Sequence, residues 1–197
     1  MSRLAKLSVD RWDPDLRRMT AADSGTAIEI LPMQIFAHCP DIAKAIVGLG
    51  LALRKSRSLP ERLIELVRLR IALHNQCRCC MAIRYRAAVA DGVDEGLVCS
   101  IENPARAEDL SAAEKAALAY ADKFANDHLS IDDSTYEGLR EHFTEAQLVE
   151  LGSWVAFCVG FGRLGATWDM VEELPAEFRQ RDAGPLTPSA APPMIVR

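Results

Sequence analysis

Beyond residue 25 the apolar residues of this chain recur every three or four positions, which is the spacing of one face of an α-helix. No alternating Val, Ile and Thr run suited to a strand interrupts them, so the pattern predicts an all-α fold. Pro32 and Pro40 bracket a short apolar helix, because the residue before a proline is pushed out of helical backbone geometry. Ile42, Ile46, Leu49 and Leu53 then make one face of a longer helix that ends in the basic run Arg54 to Arg57. Pro60 and Glu61 open a third helix, since a first-turn proline lacks only an N–H that would have no helical partner, and an acidic side chain suits the positive end of the dipole. Through about His74 that helix is apolar around most of its circumference (Leu63, Ile64, Leu66, Val67, Leu69, Ile71, Leu73), which predicts a central position.

Asn75 is placed to cap a fourth helix running to Asp91, where Gly92 can take the left-handed conformation that ends it. In the second half, Ser111 with Glu114 and Thr144 with Gln147 fit the capping box, in which the two side chains bond to each other's free backbone N–H groups. Each precedes an apolar stripe: Ala113, Ala117, Tyr120, Ala121 and Phe124 in one case, Leu148, Leu151, Val155 and Cys158 in the other. A shorter segment around Tyr136 and Leu139 lies between them, and these helices are expected to cover the hairpin of the third and fourth. The expected organisation is an N-terminal extension over residues 1–25, one helical domain over 26–182, and a proline-rich tail over 183–197 that neither continues a helix nor packs a core.

A length of 197 residues, 49% of them hydrophobic, suffices for one well-buried domain. The net charge of −5 leaves no general excess of positive charge to drive phosphate binding, so no nucleic acid partner is expected. Charge interrupts the N-terminus before an apolar core develops, and no stretch of about 18 uncharged apolar residues occurs, so no membrane association is expected and the chain reads as cytoplasmic. Six cysteines are too unevenly spread for a secreted disulfide scaffold, and Cys77, Cys79 and Cys80 fall within four positions.

At helical spacing Cys77 and Cys80 of this C-x-x-C lie on one face, one turn apart. A thiol in a helix's first turn feels the positive end of the dipole, and Arg78, Arg84 and Arg86 add cations that favour the reactive thiolate. A thiolate attacks a peroxide to give a sulfenic acid, which a second cysteine within reach condenses into a disulfide. Glu65, flanked by Ile64 and Leu66, would be a costly buried carboxylate unless paired; it is expected to pair with Arg84 or take a thiol proton, the plainer alternative being an ion pair with Arg68. Cys39, Cys99 and Cys158 read as core filling, and His38, His128 and His142 as residues beside helix ends. His74 with Cys77 and Cys80 (or Cys79) offers three zinc ligands but no fourth, so no metal is expected. Gly160, Gly162 and Gly165 match G-x-G-x-x-G, but a capped helical stripe precedes them where a dinucleotide site needs a strand, and close helix packing explains them better. No flavin, haem or nicotinamide motif is visible, so no cofactor is expected.

The stretch from Glu65 to Gly92, ELVRLRIALHNQCRCCMAIRYRAAVADG, resembles the AhpD-like alkylhydroperoxidase and carboxymuconolactone decarboxylase family. The peroxidase branch of that family has a glutamate, a C-x-x-C beginning twelve residues later, and a histidine four residues after the second cysteine; Glu65, Cys77 and Cys80 fall on this pattern. More loosely the likeness runs from Pro32 to Trp168. The resemblance implies a helical bundle whose central hairpin carries the C-x-x-C at a helix N-terminus, and a homo-oligomer. It also implies a thiol-dependent peroxidase, with Cys80 attacking a hydroperoxide, Cys77 as the more exposed resolving thiol, and an external thiol or dithiol as electron donor. The departure is Arg84 in place of the relay histidine, since a guanidinium holds a thiolate but shuttles no proton. The rival readings are a decarboxylase-like lyase and a non-catalytic helical redox or binding protein.

Overall fold

The centre of the domain is set by one helix that is apolar nearly all round. In the computed structural model, which describes residues 2–180 and 184–197, this is α5 (Glu61–Asn75). It follows the short helices α1 (Pro14–Met19), α2 (Ala27–Ile30) and α3 (Met33–Phe36) and the longer α4 (Pro40–Lys55). Beyond it come α6 (Arg78–Ala82), the strand β1 (Ile83–Tyr85), α7 (Arg86–Ala90), α8 (Glu95–Ser100), α9 (Ala112–Asn126), α10 (Asp133–Arg140), α11 (Glu145–Trp168), α12 (Ala176–Arg179) and the strand β2 (Met194–Val196). The fold is all-α apart from this two-stranded pair.

Buried Leu63, Leu66, Val67, Leu69 and Ile71 of α5 join the main core with Ala117, Leu118 and Ala121 of α9 and Leu148, Leu151 and Val155 of α11. Polar bolts fix the helices in register. Trp154 donates its indole N–H to the Ile64 carbonyl at 3.1 Å. Arg70 donates to both oxygens of Asp122 at 2.6 and 2.9 Å, and His74 Nε2 lies 2.6 Å from the same carboxylate. Both predicted capping boxes form, at Ser111 with Glu114 and at Thr144 with Gln147. Among the described residues α11 is the one helix long and apolar enough to cross a membrane by length and composition. Here Leu148, Leu151, Trp154, Val155 and Trp168 bury against the rest of the domain.

Two expectations are corrected. The helix predicted from Asn75 to Asp91 is broken: Gln76 adopts left-handed backbone (φ 48°) and ends α5, Cys77 rather than Asn75 occupies the cap of α6, and the chain runs extended through Ile83–Tyr85 before α7. Gly92, at φ 88°, provides the left-handed turn the sequence predicts. The tail does pack. Its prolines exclude a helix but not an edge strand, and β2 pairs in parallel with β1 in the register Ile83 with Met194 and Tyr85 with Val196. Ala191 and Val196 are buried, and Gln76 exchanges two hydrogen bonds with Leu186 at 2.8 and 3.1 Å. The expected boundary between domain and tail at residues 182–183 involves positions outside the described residues. At the other end, Trp12, Leu16 and Ala22 form a small core with Ala37 and Ala43, so the N-terminal extension is anchored on α3 and α4.

Burial pushes the Asp122 carboxyl up, but hydrogen bonds from His74 and Arg70 outweigh it and hold the group below its ordinary value. A depressed carboxyl contributes stability above its unfolded value of about 3.9 that is lost as pH falls through the folded value. Asp122→Asn should therefore cost about 1–2 kcal/mol at pH 7 in denaturant melts, with the gap to wild type closing in acid below the ordinary carboxylate range. Val196→Asp, which puts a charge at a buried strand position, should cost about 2 kcal/mol or more in the same assay if the tail is an integral part of the fold.

Candidate active site around the cysteine helix

Cys77 and Cys80 form a disulfide across one turn, with their Cα atoms 5.2 Å apart. The expected exposures are reversed: Cys77 is 1% exposed, whereas Cys80 is half-buried. Cys77 caps α6 beneath the end of α11, where a Cβ added at Gly165 would sit 4.0 Å from its sulfur. Its outlet is a recess of about 360 Å³ bordered by Arg3, Gln76 and Arg78. Cys80 instead lines a separate cavity of about 270 Å³ walled by Phe36, Trp154, Phe157, Phe161 and Trp168. Those rings brace one another, with Trp154 and Phe157 stacked at 5.9 Å and Phe36 edge-on to Trp168 at 4.7 Å.

The cation at this site is Arg68, which the sequence offered only as a plain ion-pair partner for Glu65. Nε and Nη2 of Arg68 donate to the two oxygens of Glu65 at 2.7 and 2.8 Å, while Nη1 donates to the Cys80 carbonyl at 2.6 Å and Nη2 to the Ile83 carbonyl at 2.9 Å. Glu65, 2% exposed, also accepts from the Tyr85 backbone N–H at 3.2 Å. Burial opposes charge on Arg68, but Glu65 outweighs it and keeps the guanidinium firmly protonated. Both Glu65 oxygens are thus engaged by Arg68 and the Tyr85 N–H. The legible signal for Arg68 was its spacing: an acid and a base three residues apart inside an apolar run must satisfy each other.

Arg84 does not meet Glu65 or the cysteines. The break at β1 takes it off the cysteine stripe, and its 1%-exposed side chain donates to both oxygens of Glu95 at 2.9 and 3.0 Å and to the Met81, Ile83 and Pro188 carbonyls. Arg86 is exposed, and Arg78, which borders the recess beside Cys77, reaches toward the Phe178 carbonyl. The dipole of α6 is also short, the helix having five residues.

Cys79 and Cys158 line the same cavity as Cys80; burial pushes the Cys79 thiol up to about 11, against the pull of Arg68, and the Cys158 thiol up to about 12. Cys39 and Cys99 are exposed rather than core residues, a correction to the reading of them as filling. Among the described residues Cys77, Cys79 and Cys80 have sulfurs within 4.8 Å of one another, but the first and last are joined in the disulfide and so are not metal ligands here, and His74 is drawn away to Asp122. The glycines at 160, 162 and 165 lie inside α11, and a Cβ at Gly162 would come 2.6 Å from Asn75 Nδ2, so close packing accounts for that glycine.

Residues 40–123 match the carboxymuconolactone decarboxylase family. Two proteins from strains of Mycobacterium tuberculosis, the uncharacterized proteins MT2376 and Rv2313c, are each 34% identical over 117 residues, covering 58% of this chain and 40% of theirs. The chain therefore spans about two fifths of the length of the curated relatives it matches. Among solved structures, the alkylhydroperoxidase AhpD core of a peroxidase-related protein from Ralstonia eutropha JMP134 superposes with a TM-score of 0.74 at 21% identity, over 90% of this chain and 94% of its own. The debrominase Bmp8, in a cysteine-to-alanine variant bound to 2,3,4-tribromopyrrole, gives a TM-score of 0.67 at 20% identity, over 91% of this chain and 96% of its own. The match over residues 40–123 includes both cysteines of the disulfide, and the fold is that of the AhpD core.

Proposed function

We propose that this protein is a thiol-dependent peroxidase that reduces organic hydroperoxides through Cys80 and Cys77. The observation that carries the reading is that Cys80, bonded to Cys77, is the member of the pair lining the aromatic cavity, with the fixed guanidinium of Arg68 against its carbonyl. In the reduced protein the Cys80 thiolate attacks the terminal oxygen of a hydroperoxide. The O–O bond breaks, the alkoxide takes a proton from solvent to leave as an alcohol, and Cys80 becomes a sulfenic acid. The Cys77 thiolate attacks that sulfur, the S–O bond breaks, and hydroxide leaves as water after protonation. An external dithiol then reduces the disulfide by exchange through the recess that Cys77 lines, so the net reaction converts hydroperoxide and dithiol to alcohol, water and disulfide. Glu65 is a positioning residue that holds Arg68 against the Cys80 carbonyl.

A reducing compartment suits a resting dithiol, so we place the protein in the cytoplasm. Exposed Ile42, Leu49 and Leu51 of α4 supply the apolar surface that association into a homo-oligomer would cover.

Reductive dehalogenation is a second reading, favoured by the aromatic walls around Cys80 and by the tribromopyrrole held by a protein of the same fold. There a bromine passes from carbon to the Cys80 sulfur as the carbon gains a proton, and Cys77 displaces bromide to give the same disulfide. The lyase alternative assigns no task to the disulfide.

Peroxide consumption with a dithiol separates these readings. Under the peroxidase reading the wild type turns over, Cys80→Ser is inactive, and Cys77→Ser accumulates a sulfenic or sulfinic acid visible as added oxygen in the intact mass. Bromide release from bromopyrroles without peroxide turnover would select dehalogenation. Unchanged activity in Cys80→Ser would overturn both thiol mechanisms. Alkylation mapping checks the thiols themselves: in the oxidised protein Cys39 and Cys99 should label first, Cys79 and Cys158 far more slowly, and Cys77 and Cys80 only after reduction. Labelling of Cys77 or Cys80 without reductant would contradict the disulfide.

A further inference from the structure

Two recesses flank the aromatic cavity and share its walls. One, of about 130 Å³, is lined by Arg54, Arg57, Glu61, Glu65, Tyr85, Trp154 and Arg197 among others; the other, of about 390 Å³, by Glu29, Arg54, Cys79, Ile83, Tyr85 and Arg197 among others. Tyr85 borders both recesses and the cavity, Trp154 is a wall shared by the first recess and the cavity, and Cys79 and Ile83 are walls shared by the second and the cavity. Most charges here cancel in pairs. Arg68 is taken by Glu65, Arg57 Nη1 donates to Glu61 at 2.6 Å, and Arg197 donates to Glu29 at 2.9 Å. Arg54 has no carboxylate partner among the described residues; its guanidinium carbon lies 5.2 Å from the centre of the Tyr85 ring. Arg57 Nε is buried with no hydrogen-bond partner, and Glu61 engages only the other side of that guanidinium. The recess next to the cavity therefore holds one uncompensated positive charge and one unmet donor, on a chain whose net charge is −5.

We propose that the site takes an amphipathic monoanion, an organic hydroperoxide whose apolar body fills the aromatic cavity and whose carboxylate is held by Arg54 and Arg57. This rests on the peroxidase reading for its chemistry but not for its binding. A carboxylate presents two oxygens to a guanidinium edge, the Nε–Nη2 edge of Arg57 is the one Glu61 leaves open, and a ligand oxygen there would satisfy the unmet donor. Arg54 supplies the charge that remains unbalanced. The cavity is at the small end of ligand pockets, which run from about 300 Å³ upward, so the body is a single ring or a short chain. Reduction of this substrate consumes its O–O bond as above and leaves the carboxylate untouched.

The experiment compares cumene hydroperoxide bearing a para-carboxylate with the methyl ester of the same compound, using a dithiol as donor. The acid should be preferred in kcat/KM by about five- to twenty-fold at low ionic strength, and added salt should shrink the preference. Arg54→Met and Arg57→Met should each lower the acid-to-ester ratio by about three- to tenfold, and Arg54→Lys should restore most of it, because the ratio within one variant is insensitive to a loss of folded protein. Binding is read separately with 4-isopropylbenzoate and its methyl ester, by the fluorescence of Trp154 and Trp168, which line the cavity. If neither hydroperoxide turns over, the peroxidase reading falls, while tighter binding of the benzoate that depends on Arg54 still upholds the anion site. Equal use and equal binding of acid and ester, with no effect of Arg54→Met on either ratio, would overturn the proposal whatever the peroxidase result.

Discussion

The buried pair of Glu65 and Arg68 is the constraint from which the site follows. Two charges taken out of water are tolerated only when each is fully met, and here the guanidinium spends its remaining donors on the Cys80 and Ile83 carbonyls. Those are the carbonyls freed where α6 stops and the chain turns into β1. Glu65 in turn takes the Tyr85 N–H, which the broken helix also leaves free. One ion pair on the central helix therefore ties down both sides of the break. Removing either partner would strand the other in the core, at a cost on the order of 3–5 kcal/mol.

With the break fixed, the rest of the geometry has little freedom. The extended residues after α6 present an edge that β2 completes, and Arg84, swung away from the cysteines, locks the edge to Glu95 and the Pro188 carbonyl. The cysteine helix is held between α5 and α11 on one side and the tail on the other. This arrangement gives the two sulfurs different surroundings: Cys77 beneath Gly165 and beside the clamped Gln76, Cys80 on the wall of the aromatic cavity. The two sulfurs therefore border different openings, Cys77 the recess beside Arg3 and Arg78 and Cys80 the aromatic cavity.

The helix inventory was legible because its signals are local. Both capping boxes, the turn at Gly92 and the apolar girth of α5 each depend on residues within a few positions of one another. The break at Ile83–Tyr85 was not, since MAIRYRAAVA contains no glycine or proline and is compatible with a continuous helix; what breaks it is the tail more than a hundred residues away and the reach of Arg68. The same break moved Arg84 off its expected stripe. The tail was misread for a related reason, because proline content rules out helix but is silent on a three-residue edge strand. C-x-x-C spacing placed the two sulfurs together correctly, yet exposure depends on what other elements cover them, and no spacing carries that.

Cys79 poses the last physical question, since a third thiol with its sulfur within 4.8 Å of the other two could scramble the pair. Its apolar surroundings on a half-buried wall answer it. A thiol pushed up to about 11 is ionised to only about one part in ten thousand at pH 7, and exchange proceeds through the thiolate. Arg68 pulls the other way but is spent on Glu65 and two carbonyls, so its influence on Cys79 does not overcome desolvation. Cys79 packs against Trp168 and Met170, which keeps its thiol protonated beside the Cys77–Cys80 disulfide. A polar replacement that opened this contact to water would restore the competition, and the disulfide would then be distributed among three sulfurs rather than held between Cys77 and Cys80.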